Sequence, residues 1–219
     1  PAGLVRLRPR HLPPRAPPPG RRLTAHTMPT SASIRKAALR AELEARRNAL
    51  PPETRAALSA ALCARAAALP AFAAATTIHC YLPMRSEVDP RPLIAAALAL
   101  GKRVAVPIFL RKSEETPCAL IASLDPSEFE PGVFGLSHPR SRERLDPAEI
   151  DVVFAPLLGF ARMNGTWHRI GYGAGYYDTF LSRLAPRTLK IGIAFAEQRL
   201  DEFPTEAHDI PLDDVLTPE

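Results

Sequence analysis

With 219 residues, 46% of them hydrophobic and 23% charged, the chain suffices for one large domain whose core needs no disulfide staples. No run approaches the roughly 18 apolar residues of a transmembrane helix, so none is expected. The net charge of +5 is local: residues 1–27 hold six arginines and no acid, and residues 28–219 sum to −1, which argues against an extended nucleic-acid surface on the body.

The first 30 residues also hold eight of the 25 prolines. So broken a segment buries little and cannot form a continuous helix, and residues 1–30 are expected to be a disordered, dispensable arm. From Ser33 the pattern becomes helical, with Ser33 as cap and Ile34, Leu39, Leu43 and Leu50 as apolar positions. Pro51 and Pro52 end that helix. A second runs from Glu53 to Leu69, with Leu58, Leu62, Ala66 and Leu69 on one stripe and Pro70 as its stop. Strands are expected over Thr77–Leu82, Arg103–Leu110, Cys118–Ser123, Asp151–Phe160 and Leu189–Phe195. Helices are expected over Pro92–Leu100, stopped by Gly101, and over Tyr176–Leu184. This alternation predicts an α/β fold in a single domain, residues 31–219, with a mostly parallel sheet covered by helices on both faces. Ligands in such sheets bind beyond the carboxyl ends of the strands. Cys63, Cys80 and Cys118 form no CxxC pair and read as reduced, buried thiols of a cytoplasmic protein.

Four segments carry chemistry. Arg169-Ile-Gly-Tyr-Gly-Ala-Gly-Tyr-Tyr-Asp178 places three glycines at alternate positions ahead of a helix. Gly171, Gly173 and Gly175 leave backbone N–H groups free to face an anion, and the helix start adds positive potential. Arg169 can pair with phosphate, Asp178 can hold Mg²⁺, and Tyr176 and Tyr177 can stack on a flat ring. A glycine cluster by itself is equally a turn. Lys36 and Arg40, four apart, share one helix face, though on spacing alone a solvated basic face accounts for them. Tyr81-Leu-Pro-Met-Arg-Ser-Glu-Val-Asp89 carries Glu87 and Asp89 in a loop after a strand, as substrate-binding carboxylates or as a cap and a surface charge. The tail His208-Asp209-Ile-Pro-Leu-Asp213-Asp214 offers a further metal carboxylate or merely solvated charge. His79 reads as a sheet residue, and neither a zinc ligand spacing nor a nucleophile signature is present.

Together these segments resemble the 5-formyltetrahydrofolate cyclo-ligase family over about Arg35 to Pro218. The carrying motifs are Lys-x-x-x-Arg at 36–40, Tyr-Leu-Pro-x-x-x-Glu-Val-Asp at 81–89, Gly-x-Gly-x-Gly-Tyr-Tyr-Asp at 171–178 and Pro-x-Glu-x-His-Asp-x-Pro-Leu-Asp at 204–213. The chain departs from the family in a longer approach from Phe160 to Gly171 and in Tyr172, where many relatives carry Arg. The resemblance implies ATP- and Mg²⁺-dependent cyclisation of 5-formyltetrahydrofolate to 5,10-methenyltetrahydrofolate, releasing ADP and phosphate. It implies an ATP site of Lys36, Arg40, Arg169, Ile170, Gly171, Tyr172, Gly173, Ala174, Gly175, Tyr176 and Tyr177. It likewise implies folate contacts from Leu82, Glu87, Tyr172, Gly173, Ala174, Gly175 and Tyr176, and Mg²⁺ on Asp178 and Asp213. Glu87, Arg169 and Tyr177 are the expected catalytic residues, and a monomer is expected. The rival reading is a nucleic-acid-binding protein on the same scaffold that uses the arginine arm and has a decayed catalytic site.

Overall fold

The computed structural model describes residues 31–110, 116–132 and 135–218, so the arm expected over residues 1–30 lies outside the described residues. Helix α1 (Ser31–Asn48) begins two residues ahead of the expected cap, which leaves Ser33 inside its first turn. Its buried positions Lys36, Leu43 and Arg47 fall on one stripe at helical spacing. That inner face is therefore cationic, which suits a helix that packs against a polar site. Helix α2 (Pro52–Ala67) turns Leu62, Cys63 and Ala66 inward. Pro70 ends the α2 segment and also opens a short helix, α3 (Pro70–Ala74), because proline's missing N–H is unpaired in a first turn anyway. Strand β1 (Thr77–His79) follows, then α4 (Arg91–Ala99), which stops at Gly101 with φ +71°.

The remaining strands are β2 (Arg103–Pro107), β3 (Cys118–Ile121), β4 (Phe129–Pro131), β5 (Ser137–Pro139), β6 (Arg144–Leu145), β7 (Val152–Ala155), β8 (Gly159–Met163) and β9 (Thr166–Ile170). Helix α5 (Tyr176–Leu181), β10 (Leu189–Ile193) and β11 (Asp214–Leu216) complete the order. Among the described residues seven strands form one sheet in the order β11-β10-β7-β1-β2-β3-β6. The pairs from β11 to β2 are parallel, while β3 and β6 add an antiparallel edge. Side chains alternate across this sheet. Ile78, Val104, Val106 and Phe154 pack with Leu62, Phe72 and Leu93 from α2, α3 and α4. Ala105, Val153 and Ala155 pack on the other face with Tyr177, Phe180 and Leu181 of α5. The expected α/β sheet with helices on both faces is the observed one.

One expected strand is two elements. Asp151–Phe160 is interrupted by Pro156, which has no N–H for a central ladder. Val152–Ala155 stays in the sheet, and Gly159–Met163 leaves it to pair with β9 in a separate antiparallel hairpin. Asn164 and Gly165, with φ of +51° and +81°, form its two-residue turn, the backbone that an Asn-Gly hairpin prefers. The long approach to the glycine segment is thus a β-hairpin. α1 crosses it closely: a Cβ at Gly159 would lie 2.5 Å from Leu43 Cδ1.

Candidate active site

The segments leaving β1, β2 and β7 at their carboxyl ends converge on one cavity of about 370 Å³, where Tyr81, Leu82 and Glu87, then Phe109, then Pro156 form the wall. Across from them stand Lys36 and Arg40 of α1, the run from Arg169 through Asp178, and Glu206, His208 and Asp209 from the tail. The structure therefore brings together Lys36, Arg40, Leu82, Glu87, Arg169, Ile170, Gly171, Tyr172, Gly173, Ala174, Gly175, Tyr176, Tyr177 and Asp178. It does not bring Asp213 to them. Asp213 accepts hydrogen bonds from Lys190 Nζ and the Lys190 backbone N–H, both at 2.8 Å, beside the β10–β11 pair. The tail carboxylate that lines the cavity with Asp178 is Asp209, and Asp213, expected to act with Asp178, lies outside that lining. Asp213 is four residues further along and follows the extended path into β11, which carries it away.

The cations are held, not solvated. Lys36 is only 5% exposed, and its Nζ donates to Asp209 Oδ2 at 2.5 Å and to Glu206 Oε2 at 3.1 Å. Arg40 Nε donates to the Gly171 carbonyl at 2.9 Å, and its guanidinium lies against Gly173. Gly173 has φ +93°, and a Cβ there would sit 3.0 Å from Arg40 Cζ. Only glycine combines that backbone with that approach. Gly175 has φ +71° with nothing within 4 Å of its Cβ direction, so the loop faces open space there. Helix α5 has only six residues, ending at Leu181 and not at the expected Leu184, so its dipole is small.

Arg169, placed by β9, is buried and donates through Nη2 to Asp178 Oδ1 at 2.7 Å. Burial pushes its guanidinium below its usual range, against the pull of Asp178. Its Nε is buried with no partner among the described residues, as is the Tyr177 hydroxyl. Asp178 Oδ1 also accepts from the Ile210 N–H at 3.3 Å, which ties the tail to the glycine loop. The two tyrosines are less free than expected. Tyr177 is buried with the Arg169 guanidinium 5.8 Å from its ring centroid, and Tyr176 packs on Phe109 at 4.6 Å while donating to the Pro117 carbonyl. Behind them His79 is fully buried with both ring nitrogens unpartnered among the described residues, and burial lowers its pKa to about 3. It is a neutral packing residue against Phe180.

Glu87 is 8% exposed, and its Oε2 accepts from the Met84 N–H at 2.8 Å. Burial pushes its carboxyl up to about 7, opposed by the Met84 N–H, Arg47 and Tyr172. A second cavity of about 680 Å³ lies beyond it, between the 82–91 loop and the β4–β5 hairpin. Leu82, Arg85, Glu87 and Leu136 border both spaces. Arg47 and Glu206 are not among the expected site residues, whereas Asp209 belongs to the tail expected to offer a metal carboxylate. Arg47 had a signal, since positions 36, 40 and 47 recur on one helix stripe.

Fold and cavity define an α/β ligand-binding protein with a glycine-lined, cation-bearing site at the carboxyl edge of its sheet. The family model of the 5-formyltetrahydrofolate cyclo-ligases matches residues 32–218, and the chain belongs to that family, whose members are ligases. The 5-formyltetrahydrofolate cyclo-ligase of Mus musculus is 29% identical over 190 residues, covering 83% of this chain and 92% of its own. That of Escherichia coli K12 is 30% identical over 177 residues, covering 79% and 94%. The solved 5,10-methenyltetrahydrofolate synthetase of Aquifex aeolicus superposes with a TM-score of 0.71 at 30% identity, covering 84% of this chain and 90% of its own. Among the described residues no helix is long and apolar enough to cross a membrane.

Proposed function

We propose that this chain converts 5-formyltetrahydrofolate to 5,10-methenyltetrahydrofolate at the expense of MgATP, releasing ADP and phosphate. The observation that carries this reading is Glu87 in the wall shared by two cavities, one lined by the glycine loop with Lys36, Arg40 and Arg169, the other by none of these. Such a wall lets a folate and a triphosphate meet at one point.

A formyl oxygen is a poor leaving group. In the proposed sequence it attacks the γ-phosphorus and ADP departs. N10 then attacks the activated formyl carbon, the carbon–oxygen bond to phosphate breaks, and the N10 proton is lost. Phosphoryl transfer asks the protein for position and charge neutralisation. The N–H groups of residues 171–175, with Lys36, Arg40 and Arg169, would bind the phosphates, while Glu87 would orient the formyl or pterin group. Ile170, Ala174 and Tyr172 would shape the wall, and Leu82 would cover the folate. Tyr177, with its unpartnered hydroxyl, would contribute a donor only if it turns toward the cavity.

The donor set fits a hard cation. Glu206, His208 and Asp209 have ligand atoms within 4.8 Å of one another, Asp178 lines the same cavity, and carboxylate oxygens suit Mg²⁺. Asp178 and Asp209 would hold the ion, with Lys36 turning from Asp209 to phosphate. Bound there, Mg²⁺ would neutralise phosphate charge during transfer. We assign the reaction to the cytoplasm and to a monomer. The test is incubation with 5-formyltetrahydrofolate and MgATP while following the methenyl absorbance. A folded protein that forms no product sinks the reading.

A further inference from the structure

Among the described residues Arg47 is one of the largest fully buried side chains and carries a charge. Its Nε donates to Ser86 Oγ at 3.0 Å, and Ser86 Oγ donates to Asn48 Oδ1 at 2.5 Å, so the side chain is fixed from both α1 and the 82–89 loop. Its Nη2 donates to the Tyr172 hydroxyl at 2.6 Å, with the guanidinium carbon 5.8 Å from the ring centroid. A phenol oxygen that accepts from an arginine has its single proton left to give elsewhere, and arginine stays charged at every working pH. Tyr172 and Glu87 line the same cavity, and Ser86, which accepts from Arg47, directly precedes Glu87 in the chain. From α1, Arg47 therefore holds both the tyrosine of the glycine loop and the residue that leads into Glu87. We propose that Arg47 is a positioning residue for Glu87, holding Ser86 and the Tyr172 hydroxyl in place so that the phenol's proton can be given to that carboxylate and orient it toward the substrate. The inference rests on the reading of Glu87 as the folate-side group.

The charged groups around Glu87 support it. Arg47 comes from α1 and Arg85 from the same loop, while the hydroxyls of Tyr81, Tyr172 and Tyr177 stay neutral because burial pushes each one up. Arg85 is exposed and pairs with Glu44, so Arg47 is the buried charge that favours the carboxylate. Burial alone favours the acid form.

The test is a ¹³C-carboxyl titration of Glu87, assigned with Glu87→Gln, beside the pH profile of kcat/KM for the folate. The wild type should titrate near pH 7. Arg47→Met should move that midpoint upward by about one pH unit or more, a tenfold change in the proton affinity of Glu87. The acidic limb of kcat/KM should move with it, and Arg47→Lys should restore part of the shift. Should Arg47→Met not fold, Tyr172→Phe keeps the ring, removes the relay and should raise the midpoint likewise. An unchanged Glu87 midpoint in a folded variant of either kind overturns the proposal and leaves Arg47 a structural residue. The titration needs no turnover. A wild type without methenyl product would therefore sink the functional reading, while the midpoints still decide the role of Arg47.

Discussion

Replacing Gly173 with alanine perturbs two things at once, and the structure separates them. A side chain at φ +93° carries a conformational cost of ~1–2 kcal/mol. The new Cβ also falls 3.0 Å from Arg40 Cζ and 3.2 Å from its Nη1, too near to coexist with the present position of that guanidinium. Displacing it strains the bond to the Gly171 carbonyl, whose full loss, a charge-assisted hydrogen bond, costs ~1.5–3 kcal/mol. The sum for Gly173→Ala is ~2.5–5 kcal/mol. Gly101 provides the control, since it has φ +71° with nothing within 4 Å, and Gly101→Ala should cost only the conformational part. Urea unfolding measures both losses, and calorimetric titration with MgATP measures the consequence for the site. Gly173→Ala should bind MgATP at least tenfold more weakly than wild type, with Gly101→Ala unchanged. Equal stability losses in the two variants, with MgATP binding intact in both, would refute the placement of Arg40 as a loop-held phosphate cation.

The tail carboxylates separate cleanly. Asp209→Asn and Asp178→Asn should each lower Mg²⁺-dependent turnover by tenfold or more without unfolding the chain, whereas Asp213→Asn should keep its turnover and lose at most about 1 kcal/mol with its Lys190 pair; magnesium titrations of activity tell them apart. Glu87→Gln should weaken folate binding while MgATP binding stays near wild type, as separate titrations of each ligand would report. Its stability should also change with pH. The carboxyl of Glu87, raised to about 7 from 4.5, contributes stability that is complete below pH 4.5 and lost as pH rises through 7, so Glu87→Gln should gain about 3 kcal/mol relative to wild type between pH 4 and 8. His79 has the opposite sign. Its pKa falls to about 3 from 6.5, so its stabilising contribution is present above pH 6.5 and lost on acidification, and wild type should lose about 2 kcal/mol more than His79→Leu between pH 7 and 5 in chemical denaturation.

The sheet was legible because Val152–Ala155 and Arg103–Pro107 are short apolar runs between helical patterns, and Gly101 marked the end of α4. The hairpin of β8 and β9 was missed although its signal is local: Asn164-Gly165 between alternating residues, with Pro156 ahead of it. An apolar run across that proline looked continuous because Leu157, Leu158 and Phe160 are all buried, Leu157 and Phe160 with Val153 and Ala155 and Leu158 in a separate cluster with Leu43. The glycine loop with Arg169 and Asp178 was legible from spacing, since strand, loop and helix follow directly along the chain. Asp209 and Asp213 could not be told apart that way. Which of two carboxylates four residues apart enters the cavity depends on Leu212 pairing with Trp167 and on the path into β11. Arg47 was obscured for a related reason: an arginine late in a charged helix reads as surface until its partners Ser86 and Tyr172, 39 and 125 residues away, are seen.

The measurement that bears most directly on the account follows the formyl oxygen. Substrate labelled with ¹⁸O in the formyl group is turned over with unlabelled MgATP, and the inorganic phosphate is analysed by mass spectrometry. If the formyl oxygen attacks the γ-phosphorus and leaves as part of phosphate, each methenyl product formed should be matched by one ADP and one phosphate carrying a single ¹⁸O. Methenyl product accompanied by unlabelled phosphate, with the label in water, would contradict it.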